Sequence, residues 1–240
     1  MKNNYNITQG LRKSMEFYNE LGFEYLPVKE EDVTGYLPGA FLSVKPGDSA
    51  LVEGGFRVIG NDLQVLQEEL ADCSRCKLSS GRKNVVFGEG KPDARIMFIG
   101  EGPGREEDIQ ARPFVGDAGK LLTKLIVKLG LKREDVYIAN IVKCRPPYNR
   151  NPEEDEISTC ISFLKKQIDL IKPDIIVCLG RIAAHALLEV KNPIGKMRGN
   201  FFSYNGIPVM PTFHPAYLLR NPKDKWLTWD DMQKVLEKLK

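Results

Sequence analysis

Four short apolar runs constrain this chain more than any other feature: Ala94–Ile99, Val136–Val142, Ile175–Leu179 and Ile207–Phe213. Their apolar residues are continuous instead of alternating, so both faces of each strand must be covered. Helical patterns are interleaved with them, at Gly119–Leu129, Asp155–Ile171, Ile182–Leu188 and Trp229–Leu239, with Asp62–Ala71 leading in. Strands and helices alternating at this spacing predict an α/β fold. Its form is a three-layer αβα sandwich around a central four-stranded, mostly parallel sheet.

Residues 1–61 break the pattern and read as an N-terminal appendage to a domain over 62–240. A helix is expected over Thr8–Leu21, stopped by Gly22, and the stretch after it is interrupted by Pro27, Pro38 and Pro46. Short strands are expected around Ala50–Val52 and Phe56–Ile59. A covering layer over the core is the simplest role, and an arm that docks a partner or touches DNA is the alternative. The polar start Met1–Asn6 has no signal-peptide character, and no apolar run approaches the roughly 20 residues of a membrane helix. Five cysteines without a secretory signal point to metal binding or buried thiols, and a monomeric cytoplasmic protein is the expectation. With 35 basic and 32 acidic residues, overall charge does not mark a nucleic-acid binder, so any such surface must come from local clustering.

In open α/β sheets ligands bind outside the carboxyl ends of the strands, and the unusual residues lie there. The first strand runs into Gly100-Glu-Gly-Pro-Gly104, the second contains Asn140 and ends at Cys144-Arg-Pro-Pro147, and the fourth ends at Phe213-His214-Pro215. The glycine turn lacks G-x-G-x-x-G spacing, Pro103 removes an amide donor, and no helix pattern starts immediately. It therefore reads as a tight turn that admits a flat ligand instead of a dinucleotide loop. Phe114, on the loop Arg112-Pro-Phe-Val-Gly116, is a candidate stacking platform for a base. Of two histidines, His185 lies in an apolar helix pattern and reads as structural, whereas His214 could donate to charge developing on a leaving group. The segment Pro215–Pro222 sets leucines beside Arg220. One leucine could act as a wedge in a base stack, or the three residues Tyr217, Leu218 and Leu219 could start a helix and bury themselves.

Cys73 and Cys76 form a C-x-x-C pair, and Cys144 and Cys160 follow much later. Four thiolates could close a zinc site or an iron–sulfur cluster, and spacing leaves both open. Cys178, inside Ile175–Leu179, reads as a buried small hydrophobe.

The motifs GEGPGREED, RPFVGDAG, NIVKCRPP and FHPAYLLRNP, in that order over Asp62–Lys240, resemble the family 4 uracil-DNA glycosylases, which carry a [4Fe–4S] cluster. The resemblance implies an enzyme that flips uracil from single- or double-stranded DNA and hydrolyses its N-glycosidic bond. It implies a uracil pocket walled by Gly100–Gly104, including Gly102 and Glu101, with Phe114 stacked on the ring. Asn140 would read N3–H and O4, and His214 would donate to O2 of the departing base. Leu218 would fill the gap left by the flipped nucleotide, with Arg220 near phosphate, and Cys73, Cys76, Cys144 and Cys160 would hold the cluster. Classical uracil glycosylases have a carboxylate where this chain has Gly102, which leaves Glu101 and Glu107 as candidates to position the water. The rival readings are a superfamily member that traps abasic sites without turnover and a metal-stabilised DNA-binding module.

Overall fold

The structure, a computed structural model, describes residues 59–240, with side chains described from Asp62. The chain divides into two units, Met1–Arg57 and Val58–Lys240. The helix expected over Thr8–Leu21, the strand around Ala50–Val52 and the roles suggested for residues 1–61 lie outside the described residues. So does most of the strand expected at Phe56–Ile59; its last residue instead opens a helix.

The strands are β1 (Glu89–Gly90), β2 (Ile96–Gly100), β3 (Tyr137–Asn140), β4 (Ile175–Leu179), β5 (Phe202–Tyr204) and β6 (Ile207–Thr212). The helices are α1 (Ile59–Ala71), α2 (Arg105–Gln110), α3 (Asp117–Lys128), α4 (Glu154–Ile171), α5 (Arg181–Leu188), α6 (Ile194–Met197), α7 (Pro215–Arg220) and α8 (Lys225–Lys238). The strands form one sheet in the order β1-β3-β2-β4-β6-β5. The inner four are parallel, as their continuous apolar runs predict, and β1 and β5 add antiparallel edges. Those edges are two and three residues long, too short to carry a period-2 signal.

Period-2 geometry sends alternate side chains of each inner strand into opposite cores. Met97, Ile99, Ile176 and Cys178 pack on one face with Leu66 and Leu70 of α1, Phe163, Leu164 and Ile168 of α4, and Ala183 and Leu187 of α5. Ile96, Phe98, Val177 and Leu179 pack on the other with Leu122 and Ile126 of α3 and Met232 and Val235 of α8. This is the three-layer αβα sandwich. Among the described residues no helix is long and apolar enough to cross a membrane.

One expectation about the glycine turn is corrected. α2 starts directly after Gly104, although no helix pattern was expected there. At six residues it is too short to show a hydrophobic period, and its signal lies instead in Glu106, Glu107 and Asp108, three acidic side chains at the positive end of the helix dipole.

Candidate functional site

The sheet order places β3 and β4 on opposite sides of β2, so the direction of winding reverses between β2 and β4. In open α/β sheets such a reversal marks the ligand crevice outside the carboxyl ends of the strands, and five residues meet there. Gly100 ends β2 and is paired in register with Asn140 at the end of β3. A Cβ on Gly100 would lie 2.4 Å from Asn140 Oδ1 and 2.5 Å from Phe114 Cζ, so the absent side chain is what brings amide and ring together. The Phe114 ring centroid is 5.6 Å from that of His214, tilted by 35°. Gly180, just after β4, would carry a Cβ 2.9 Å from His214 Cβ.

Asn140 is 1% exposed, and among the described residues neither its Oδ1 nor its Nδ2 has a hydrogen-bond partner. Leaving such an amide buried and unsatisfied costs about 1–3 kcal/mol per polar group, which a ligand offering one donor and one acceptor would recover.

Phe114 is held before any ligand arrives. Its φ is 51°, a left-handed conformation unusual for an aromatic residue. Three contacts hold this loop. Arg133 Nη2 donates to Pro113 O at 2.5 Å, and Val115 and Gly116 N–H donate to Glu107 Oε1 at 2.9 and 2.8 Å.

Those bonds also fix the role of Glu107. Its second oxygen accepts from Gly104 N–H at 3.1 Å. One carboxylate therefore clamps the glycine turn, the start of α2 and the Phe114 loop, and both its oxygens are engaged with backbone. This is where the structure places Glu107, which the sequence offered beside Glu101 as a candidate to position the water. Glu101 is half-buried, and desolvation raises its carboxyl above the ordinary value, partly opposed by the charge of Arg181. Gly102 lies against the second strand end: a Cβ there would come 2.7 Å from Val142 Cγ2 and 3.8 Å from Pro146 Cδ.

His214 is the N-cap of α7, and its Nδ1 accepts from Ala216 N–H at 3.1 Å. With Nδ1 an acceptor, the neutral ring carries its proton on Nε2. Desolvation by surrounding protein, aided by the charge of Arg220 and opposed by Glu107, pushes the imidazole down to about 4. At neutral pH it is an uncharged Nε2–H donor. Behind it, Thr212 Oγ1 donates to Asp231 Oδ2 at 2.6 Å. Arg198 bridges Asp231 to the carbonyl of Leu227, which it meets at 2.6 Å, so the end of β6 is pinned. His185, by contrast, pairs through Nε2 with Asn192 O at 2.7 Å, a structural contact.

The leucine expected to fill the DNA gap is placed differently from the expectation. Leu218 is 4% exposed and packed inward, whereas Leu219 is 44% exposed. Helix α7 forms, and 100° per residue turns its adjacent leucines to different faces. Arg220 follows at the exposed end of the helix.

Away from the crevice, Cys73, Cys76, Cys144 and Cys160 all line one cavity. Burial pushes the Cys160 thiol up to about 11 and raises that of Cys144. Among the described residues no three Cys, His, Asp or Glu side chains gather on a single point as one metal ion requires. Cys178 lies fully buried in β4 and does not line the cavity.

Sequence reasoning missed three parts of the site. Gly180 was legible as the end of the third strand, the one strand end that had been given no ligand-facing residue. The bond of Glu107 to Gly104 is local, three residues away, but its hold on the Phe114 loop and the anchoring by Asp231 had no local signal, because those partners lie 8 and 9 residues and 19 residues away in sequence.

Comparison with known proteins bears directly on this arrangement. A sequence model described as the uracil DNA glycosylase superfamily matches residues 87–240. The type-4 uracil-DNA glycosylase of Saccharolobus solfataricus is 50% identical over 188 residues, covering 75% of this chain and 87% of that protein. Those of Thermotoga maritima and Sulfurisphaera tokodaii are 48% and 47% identical, covering 72% and 74% of this chain and 92% and 84% of theirs. With the match spanning all six strands and every residue of the crevice, the chain belongs to the uracil DNA glycosylase superfamily, among its type-4 members.

Proposed function

We infer that this protein is a uracil-DNA glycosylase, a DNA repair enzyme that hydrolyses the N-glycosidic bond of uracil in single- or double-stranded DNA and leaves an abasic site. The observation that carries the reading is the buried, unpartnered Asn140 amide facing the Phe114 ring across Gly100. A uracil stacked on Phe114 would offer N3–H to the amide oxygen and O4 to the amide nitrogen. Cytosine presents the opposite pattern and would leave both groups unsatisfied.

In this reading the bond breaks with charge separation. The sugar gains oxocarbenium character, and the electron pair of the C1′–N1 bond leaves on uracil. The neutral His214 Nε2–H donates to uracil O2 as that charge develops, which favours the transition state over the ground state. Water then adds to C1′ and releases a proton. Glu107 positions the Phe114 loop and does not act as a base. Glu101 is the carboxylate of the glycine turn whose oxygens are not committed to backbone, and it is the candidate to orient the water. At the DNA surface, Leu219 supplies the exposed apolar side chain and Arg220 the charge for phosphate, with Leu218 packed beneath them.

The four cysteines fit a [4Fe–4S] cluster. They are set around the wall of one cavity, as a cluster requires when each thiolate binds a different iron. The cluster would join the α1 end, through Cys73 and Cys76, to the β3 exit and to α4, through Cys144 and Cys160. Its contribution is structural, and the glycosidic step involves no change of oxidation state.

Uracil release from DNA tests the proposal. Protein with its cluster in place is expected to produce free uracil and alkali-labile abasic sites, and Asn140→Ala is expected to lose most of this activity. Wild-type protein that binds uracil-containing DNA without releasing base would overturn the enzymatic reading.

A further inference from the structure

Three cations line the cysteine cavity, and while Arg75 is paired with Glu69, neither the glycosylase chemistry nor the fold gives a reason for the other two, Lys143 and Arg82. Lys143 is 0% exposed, yet among the described residues its only polar partner on Nζ is the neutral Gln167 Oε1, at 2.6 Å. Gln167 is itself held by Phe87 O at 3.0 Å and Tyr137 OH at 3.2 Å, so the amide is fixed with its oxygen towards the lysine. Among the described residues no carboxylate lies within 4.0 Å of Lys143, in contrast to Lys77, Arg95, Arg133, Arg150 and Arg198, each of which has one. The backbone N–H of the same residue donates to Cys160 Sγ at 3.4 Å. Arg82 is the second cation. Its Nη1 donates to Cys73 O at 2.6 Å and to Cys144 Sγ at 3.3 Å, and it too has no carboxylate partner among the described residues.

Burying an ammonium without a counter-charge is strongly unfavourable, so an anion should be present near the cavity that both residues line. Carboxylates do not supply it, and the four sulfurs that share their cavity can. A [4Fe–4S] core in its common 2+ state bound by four thiolates leaves about two net negative charges, which one lysine and one arginine would balance.

We propose that Lys143 and Arg82 form a cationic cradle for the thiolate-ligated cluster, neutralising its charge and setting both its retention and its reduction potential. The proposal rests on the cluster assigned above. Hydrogen bonds and charge at cluster sulfurs are established levers on potential, and the direction here follows from sign. Removing a positive charge makes the added electron less welcome, so the potential falls.

The test uses the full chain purified anaerobically, with iron per chain, absorbance near ~400 nm and film voltammetry as readouts. Arg82→Met and Lys143→Met are each expected to shift the potential to more negative values and to speed iron loss to a chelator several-fold. Arg82→Lys and Lys143→Arg are expected to restore both. If Lys143→Met does not fold, the Arg82 pair decides alone, because Arg82 is only partly buried. Neutral variants with an unmoved potential, or charge-keeping variants displaced as far as the neutral ones, would overturn the proposal. A colourless, iron-free wild-type protein that still excises uracil would remove the cluster assignment and this proposal while leaving the glycosylase reading in place.

Discussion

At the scale of single residues, two side chains carry the account of base recognition. Asn140 provides one acceptor and one donor in a dry site, so replacing its donor should reverse part of its preference. Asn140→Asp is expected to lower the ratio of uracil to cytosine excision by roughly 10–100-fold, as for loss of a bidentate base contact. An unchanged ratio in competition assays would remove Asn140 from recognition. His214 gives a second expectation. Its folded value near 4 lies below its ordinary 6.5, so between these the unfolded chain binds the extra proton and stability falls as pH drops through that window. Nuclear magnetic resonance of the ring nitrogens should show a neutral Nε2–H tautomer at pH 7 and no titration near 6.5. An imidazolium at neutral pH would contradict the donor role. Both residues were legible in the sequence because they lie at the ends of apolar runs. The lack of polar partners on the Asn140 amide among the described residues was not, since it depends on what every neighbour fails to offer.

At the scale of elements, the clamp made by Glu107 and the two faces of α7 are the points where folding decided what sequence had left open. Glu107 accepts three backbone N–H groups from two loops. Glu107→Gln places an N–H where at least one of these donors needs an acceptor. It should lower Tm and reduce, without abolishing, kcat; abolished turnover at wild-type Tm would return Glu107 to the role of base. For α7, Leu218→Ala opens a buried cavity and is expected to cost about 2–4 kcal/mol of stability. Leu219→Ala should leave stability within about 0.5 kcal/mol and reduce activity on double-stranded more than on single-stranded DNA. The reverse assignment, with Leu219→Ala silent in both assays, would return the wedge to Leu218. Adjacent leucines on a six-residue helix cannot be told apart by pattern, because one turn supplies no period.

At the scale of the whole molecule, the inner four strands and the helices that cover them follow from continuous apolar runs, and the crevice at their carboxyl ends follows from strand order. Edge strands β1 and β5 and helix α2 did not follow, being too short for any periodicity. The cysteine cavity shows the same limit. Spacing allowed zinc or a cluster, and only the fold revealed four thiols around one cavity, lined also by two cations that have no carboxylate partner among the described residues. The central claim is that this crevice holds uracil by Asn140 and Phe114 and releases it past His214. Its most direct test is uracil excision by wild-type protein and by Asn140→Ala on the same uracil-containing oligonucleotide. The account expects free uracil and an abasic site from the wild type and at least a tenfold slower release from the variant. Equal rates, or no release by the wild type, would contradict it.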